Sequence, residues 1–127
     1  MQIQHERTIE ELAVRDMTEQ ALGDIAKFFQ EQYSQRVTAI LAGVDDPKQV
    51  GRWIRGEHQP RYDSELRLRT AYQVFRIITR AENAHIARAW MIGLNPQLDD
   101  ESPINAIAHE RYKEVLAAAR TYCEGDL

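Results

Sequence analysis

In the stretch Pro47-Lys48-Gln49-Val50-Gly51-Arg52-Trp53-Ile54-Arg55-Gly56-Glu57-His58-Gln59-Pro60-Arg61, Val50, Trp53 and Ile54 recur at helical spacing and can sink into a core. Lys48, Gln49, Arg52 and Arg55 then fall on the opposite, exposed face. Gly56 closes the segment and Pro60 follows it. A cationic face that also carries an amide, on a short helix held down by a tryptophan, suits a DNA major groove. Arginine and lysine there neutralise phosphates or read guanine, and glutamine pairs with adenine through two hydrogen bonds. An ordinary solvated helix with one apolar side shows the same pattern, so the flanking sequence has to separate the two readings.

Upstream, Val37, Ile40, Leu41 and Val44 mark an apolar face. Gly43 can take the left-handed conformation that ends a helix. Asp45 or Asp46 can cap the next helix, and Pro47 sits where a first helical residue needs no amide hydrogen. The order is therefore helix, short glycine-containing turn, helix, in which the second helix enters the groove. Lys48, Gln49, Arg52, Arg55, His58 and Arg61 are the candidate DNA-contacting residues.

Charge is distributed accordingly. The net charge of −4 over 127 residues is unusual for a DNA binder until it is divided along the chain. Residues 1–47 carry 4 basic and 9 acidic side chains, residues 48–80 carry 8 and 3, and residues 81–127 carry 4 and 8. Positive charge thus concentrates around the candidate recognition helix, and salt screens the acidic ends beyond roughly 10 Å.

Working outward, Thr8-Ile9-Glu10-Glu11 matches a capping box for a short helix through Ala13 or Val14. Thr18 opens a second, with Leu22, Ile25, Ala26 and Phe29 on one face. Asp63-Ser64-Glu65 starts a long helix whose stripe is Leu68, Ala71, Tyr72, Phe75 and Ile78, widened by Val74 and Ile77. Asn83 caps Ala84 to Ile92, with Ile86, Ala89 and Trp90 on the buried side. Asn95-Pro96-Gln97-Leu98 is a turn. Ser102-Pro103 begins a last helix running through Ala108, Tyr112, Val115, Ala119 and Tyr122 to Gly125. No alternating or hairpin pattern occurs, so the fold class is all-α. The division expected is an N-terminal segment (1–17), a helix-turn-helix unit (18–80) and a C-terminal unit (81–127), with the long helix as a rigid link.

Catalytic chemistry is not expected. His5, His58, His85 and His109 are scattered without metal-ligand spacing, and there is no phosphate-cradling glycine loop or nucleophile elbow. No cofactor is expected. No run approaches the ~18 apolar residues of a membrane span. The lone cysteine, Cys123, leaves no internal disulfide, and no leader pattern opens the chain, so a cytoplasmic location is expected.

The stretch Ala89-Trp90-Met91-Ile92-Gly93-Leu94-Asn95-Pro96-Gln97-Leu98, followed by Ser102-Pro103 and a closing helix, resembles the Xre–MbcA–ParS toxin-binding antitoxin domain. Trp53-Ile54-Arg55-Gly56-Glu57 with Pro60 resembles the Xre-type helix-turn-helix that precedes it in that family. The resemblance spans about residues 18–127 and implies an antitoxin of a type II toxin–antitoxin pair. It implies as partner a RES-domain toxin, which cleaves or phosphorolyses NAD or modifies proteins with ADP-ribose. It also implies binding to operator DNA, self-association of the antitoxin and a hetero-oligomer with the toxin. The element at the toxin's active-site entrance would be the chain end: Tyr122, Cys123, Glu124, Gly125, Asp126 and Leu127. Two other readings fit the residues: a stand-alone helix-turn-helix regulator whose C-terminal unit mediates oligomerisation, and a scaffold that has lost DNA affinity.

Overall fold

A computed structural model describes residues 7–125. Among them the chain forms α1 (Ile9–Glu19), α2 (Leu22–Gln32), α3 (Gln35–Ala42), α4 (Lys48–Ile54), α5 (Tyr62–Ala81), α6 (Ala84–Ile92), a short 3-10 turn (Pro96–Leu98), α7 (Pro103–Ala108) and α8 (Tyr112–Cys123). The all-α expectation holds: the described residues form no β-strand. None of their helices is long and apolar enough to cross a membrane.

The 20-residue α5 is the axis of the packing and meets α1, α2, α3, α6, α7 and α8. Its stripe is buried as the sequence suggested, with Leu68, Ala71, Val74 and Ile78 fully shielded. Phe28 and Phe75 meet edge to face at 4.8 Å between ring centroids, and Phe28 and Tyr72 at 5.2 Å, which favours the ring quadrupoles. Buried side chains from α1 through α8 form one cluster, so the core is continuous across residue 80.

Several starts follow local chemistry. The Thr8 hydroxyl accepts from the Glu11 amide, the Ser34 hydroxyl from Val37, the Asn83 carbonyl from Ile86 and the Ser102 hydroxyl from Asn105. Each satisfies an orphan amide of a first turn.

Other expectations are corrected. Thr18 does not open a helix. It lies in the last turn of α1, where its hydroxyl donates back to the Val14 carbonyl. α2 instead begins at Leu22 without a side-chain cap. The presumed last helix is two helices: α7 ends at Ala108, Glu110 turns left-handed at φ 64°, and α8 starts at Tyr112. The buried faces also rotate. Ile40 is 47% exposed, while Thr38, Ala39, Leu41 and Ala42 point inward. Ala89 faces solvent and Ala87 and Met91 are buried in its place.

The breaks are held by arginines. Arg67 donates to the last carbonyls of two helices, Ala42 at 3.2 Å and Ala108 at 3.1 Å, and pairs with Glu110 at 3.2 Å. Its guanidinium lies so close to Gly43 that a Cβ there would sit 2.6 Å from Nη1, and Gly43 itself has φ +76°. The Gly43 turn therefore excludes any side chain on two counts. Arg69 closes α1 through the carbonyls of Met17 (2.6 Å) and Gln20 (2.8 Å). Arg88 does the same for α2 through Gln32 at 2.8 Å. Arg111 reaches the Leu98 carbonyl at 3.2 Å and the carboxylates of Glu101, Asp99 and Glu114.

α1 is fixed to α5 by Asp16, which receives Arg76 at 3.1 Å and Arg80 at 2.8 Å. Partial burial works against the Asp16 carboxylate, but hydrogen bonds from Arg80 and Arg76 outweigh it and hold the group below its ordinary 3.8. Glu101 is similar: burial opposes ionisation, while His109 and Arg111 together hold it below 4.5.

Two outcomes are expected. Arg67→Ala removes the side-chain donor to the Ala108 carbonyl, leaves the Ala42 carbonyl to the Ser64 hydroxyl at 2.8 Å, and lowers unfolding free energy by about 1–3 kcal/mol in urea titration; a loss within experimental error would show that the arginine is ornamental. Stability from Asp16 and Glu101 is complete above their ordinary values and drains as pH falls through their depressed folded values. The urea midpoint should therefore fall progressively as the pH is lowered from about 5. Asp16→Asn should flatten that slope.

Candidate nucleic-acid interface

α4 is seven residues long, too short to stand alone, and its presentation depends on anchoring. Val50 is fully buried and Trp53 is 5% exposed, while Ile54 is half-buried. At the N-terminal end, Pro47 rather than an aspartate occupies the cap position and α4 begins at Lys48, while the Asp46 carboxylate, one residue earlier, accepts from the Lys48 amide at 3.0 Å. At the C-terminal end, Gly23 of α2 presses against α4: a Cβ there would lie 3.0 Å from the Trp53 carbonyl oxygen. A bare α-carbon thus permits the close approach that α2 and α4 make.

Of the six residues singled out, four come together. Gln49, Arg52, His58 and Arg61 line an open cleft of about 350 Å³ with Trp53, Gln59 and Pro60. Trp53 is its buried aromatic member, 5% exposed. Lys48 is exposed at the start of α4, outside that lining. Arg55 is turned elsewhere. Gly56, left-handed at φ 74°, folds the chain back so that Glu57 grips the Arg55 guanidinium at 2.8 and 3.1 Å. The hydrogen bond from Arg55 in turn holds the Glu57 carboxylate below its usual range. Glu57 therefore offsets much of the Arg55 charge, although the pair is exposed and uses only Nε and Nη2.

A residue that the sequence did not single out belongs to the same face. Gln35, the first residue of α3, brings its amide nitrogen to 3.3 Å from where a Gly51 Cβ would be, and Arg55 Nη1 lies at 3.0 Å from the same point. Gly51 is the bare spot over which an amide from α3 and a guanidinium from α4 converge. The signal was available in part, since Ser34 as a cap puts Gln35 in the exposed first turn.

A second cleft of about 330 Å³ shares Gln49, Trp53 and Arg61 but adds Asp45, Asp46 and Asp63. The cationic rim thus has an acidic border on the turn side. The concentration of basic residues in 48–80 also resolves into two groups. Arg67, Arg69, Arg76 and Arg80 hold the fold, as described above. Lys48, Arg52 and Arg61 make no ion pair among the described residues.

The residues expected at a toxin are dispersed in role. Tyr122 is half-buried, with its ring 6.2 Å from that of Trp90. Cys123 and Glu124 line a shallow groove of about 240 Å³ with Thr8, Ile9, Glu10, Ile77 and Arg120, and Arg120 pairs with Glu10 at 2.8 Å. Gly125 closes α8 at φ 76°. Asp126 and Leu127 lie outside the described residues. In the turn, Asn95 organises its own loop. Its side chain accepts from the Gln97 amide, and its backbone carbonyl accepts from Leu98 and Asp100. Asp99 and Asp100 are both left-handed there, at φ 57° and 64°. Pro103 is buried.

No family model, curated protein or solved structure matches the chain. The resemblance drawn from Trp90, Asn95-Pro96 and Ser102-Pro103 rests on those short motifs.

Burial, then the carboxylates of Glu10, Glu82 and Glu124, push the Cys123 thiol above its ordinary 9.0. Although exposed, it should react with a disulfide reagent more slowly at neutral pH than a free cysteine does. Its rate-against-pH midpoint should lie above about 9; a midpoint below 8.5 would contradict that environment.

Proposed function

We propose that the chain is a helix-turn-helix DNA-binding protein, and that its C-terminal part makes it the antitoxin of a toxin–antitoxin pair. The observation that carries the DNA-binding half is the cleft where Gln49, Arg52, His58 and Arg61 converge beside an α4 anchored by Val50 and Trp53. Phosphates meet Arg52, Arg61 and Lys48, while Gln49 and Gln35 offer amides to base edges or backbone.

The antitoxin half is supported by the order of its motifs: the Trp90 helix, the Asn95-Pro96-Gln97-Leu98 turn, the Ser102-Pro103 start and the closing helix. In this reading the partner is a RES-domain toxin that consumes NAD or transfers ADP-ribose. Inhibition then needs no chemistry from this chain, only an interface of about 1,600 Å² that closes an NAD pocket. The end of α8 and the residues after it, 122–127, sit at that entrance. A stand-alone regulator is the second reading. It is favoured by the continuity of the core from α1 into α8 and by the packing of Tyr122 on Trp90, both of which give the C-terminal half a structural task.

Fluorescence anisotropy with duplex DNA from upstream of the chain's own gene tests the first half. Affinity should fall steeply with salt, and Arg52→Ala should weaken it roughly tenfold and lower the log–log salt slope by about 1. Glu57→Gln should do the reverse by removing an anion and releasing Arg55. Binding indifferent to salt and to both substitutions would end the DNA reading. Co-expression with the adjacent reading frame, using an N-terminal tag, tests the second half. A stable complex that restores NAD and growth is expected, whereas a harmless neighbour that does not co-purify leaves the regulator.

A further inference from the structure

Gly51 is the central residue of α4, a position where only proline disfavours a helix more than glycine does. A seven-residue helix whose Pro47 cap supplies no side-chain hydrogen bond is poorly placed to absorb that weakness. Other glycines of the chain have reasons within the fold. Gly43, Gly56 and Gly125 are left-handed, and a Cβ on Gly23 would press on the backbone carbonyl oxygen of Trp53. Gly51 is not left-handed, and no backbone of another element is among the atoms nearest to it. What a Cβ would meet first are the ends of two flexible side chains, Nη1 of Arg55 at 3.0 Å and Nε2 of Gln35 at 3.3 Å. Backbone packing therefore does not call for a glycine here.

The side chains around it do. Val50 and Trp53 point into the core, which leaves Gly51 and Arg55, four residues apart, on a shared flank that faces Gln35 of α3. Gln35 and Arg55 are both exposed. Glu57 takes Nε and Nη2 of Arg55 and leaves Nη1 over the glycine. The nearest atoms to the missing Cβ are thus two donor nitrogens, from two helices, and the guanidinium carbon, with no oxygen among them. Donors gathered over bare backbone make a seat for an acceptor that comes from outside the chain. A methyl group would fill that seat and push both donors aside.

We infer that Gly51 is a point of close approach for DNA, where an acceptor oxygen sits over the bare α-carbon, held by the Gln35 amide and Arg55 Nη1. The inference rests on the DNA-binding reading and adds to it a residue that acts by having no side chain. A phosphate oxygen and a base carbonyl share the acceptor chemistry. Because alanine favours the helix and blocks the seat, stability and binding respond to substitution in opposite directions. A glycine kept for the fold would lose both together.

The test uses the full chain and its Gly51→Ala, Gln35→Ala and doubly substituted variants. Each is unfolded in urea and titrated by fluorescence anisotropy, in low salt, against two duplexes. One comes from upstream of the chain's own gene, and the other has the same composition in scrambled order. Gly51→Ala should unfold at a urea concentration equal to or above that of the wild type. It should nevertheless bind the upstream duplex roughly tenfold more weakly. Gln35→Ala should weaken binding by roughly fivefold at unchanged stability. The double variant should bind no more weakly than Gly51→Ala alone, since both changes act at one contact. Equal losses on both duplexes identify a phosphate over Gly51, and a loss confined to the upstream duplex identifies a base. A Gly51→Ala chain less stable than the wild type assigns the glycine to the fold and overturns the inference. Unchanged affinity for both duplexes, or losses that add in the double variant, overturn it equally. A wild-type chain that binds neither duplex ends the DNA-binding reading itself and the inference with it, a result distinct from the others.

Discussion

Short helices end often in this chain, and every end leaves carbonyl oxygens without intrahelical partners. The fold depends on how those oxygens are satisfied. Arginines from elsewhere in the chain supply the answer: Arg69 at α1, Arg88 at α2, Arg67 at α3 and again at α7, and Arg111 at the turn before α7. A guanidinium fits this task because its donors fan out in a plane, its charge is permanent, and the negative end of a helix dipole attracts it. Arg67 carries the largest share, since its single side chain serves two helix ends that are far apart in sequence.

This use of arginine changes what the charge distribution means. The basic excess of residues 48–80 suggests one electropositive surface, yet half of it is internal cement. The cations left for a ligand are those of α4 and the segment after it, bounded by Asp45, Asp46 and Asp63 on the turn side. A smaller, bordered patch defines an orientation better than a broad one. An anionic ligand would be drawn to the Arg52 and Arg61 side and repelled from the turn; on the proposed DNA-binding reading this limits how α4 would lie on a duplex.

Features set by neighbours in sequence were legible. Caps at Thr8, Asn83 and Ser102, the left-handed stop at Gly43, and the broad stripe of α5 all depend on residues within one or two turns. The polar cleft was legible for the same reason, since Gln49, Arg52, His58 and Arg61 belong to one short segment. What escaped was decided at a distance. Whether Thr18 caps a helix or bonds back to Val14 depends on where α1 meets α5, and no local signal marks the start of α2 at Leu22. The break after Ala108, closed by the left-handed Glu110 and the Arg111 amide on the Ala106 carbonyl, is also capped by Arg67, 41 residues away in sequence. Ile40 and Ala89 were assigned inward because an apolar residue at the right spacing reads as buried, although the neighbouring positions on α3 and α6 fill the core instead. Gln35 was missed because it belongs to a different helix from the residues it joins.

Anchoring also decides how the two halves of the molecule can influence each other. α4 touches the rest of the chain through α2 and α3, and neither meets α8 as a major neighbour. Events at the end of α8 therefore reach α4 mainly through α5 and α7. On that route the Arg67 guanidinium joins the end of α3 to the end of α7 while crowding the α-carbon of Gly43, in the turn between α3 and α4. A displacement of α7 that pulled on Arg67 would leave the Ala42 carbonyl with the Ser64 hydroxyl, at 2.8 Å, as its side-chain donor. Arg67 thus ties the end of α3 to the end of α7, while α4 keeps its own anchors in Val50, Trp53 and the close approach of Gly23.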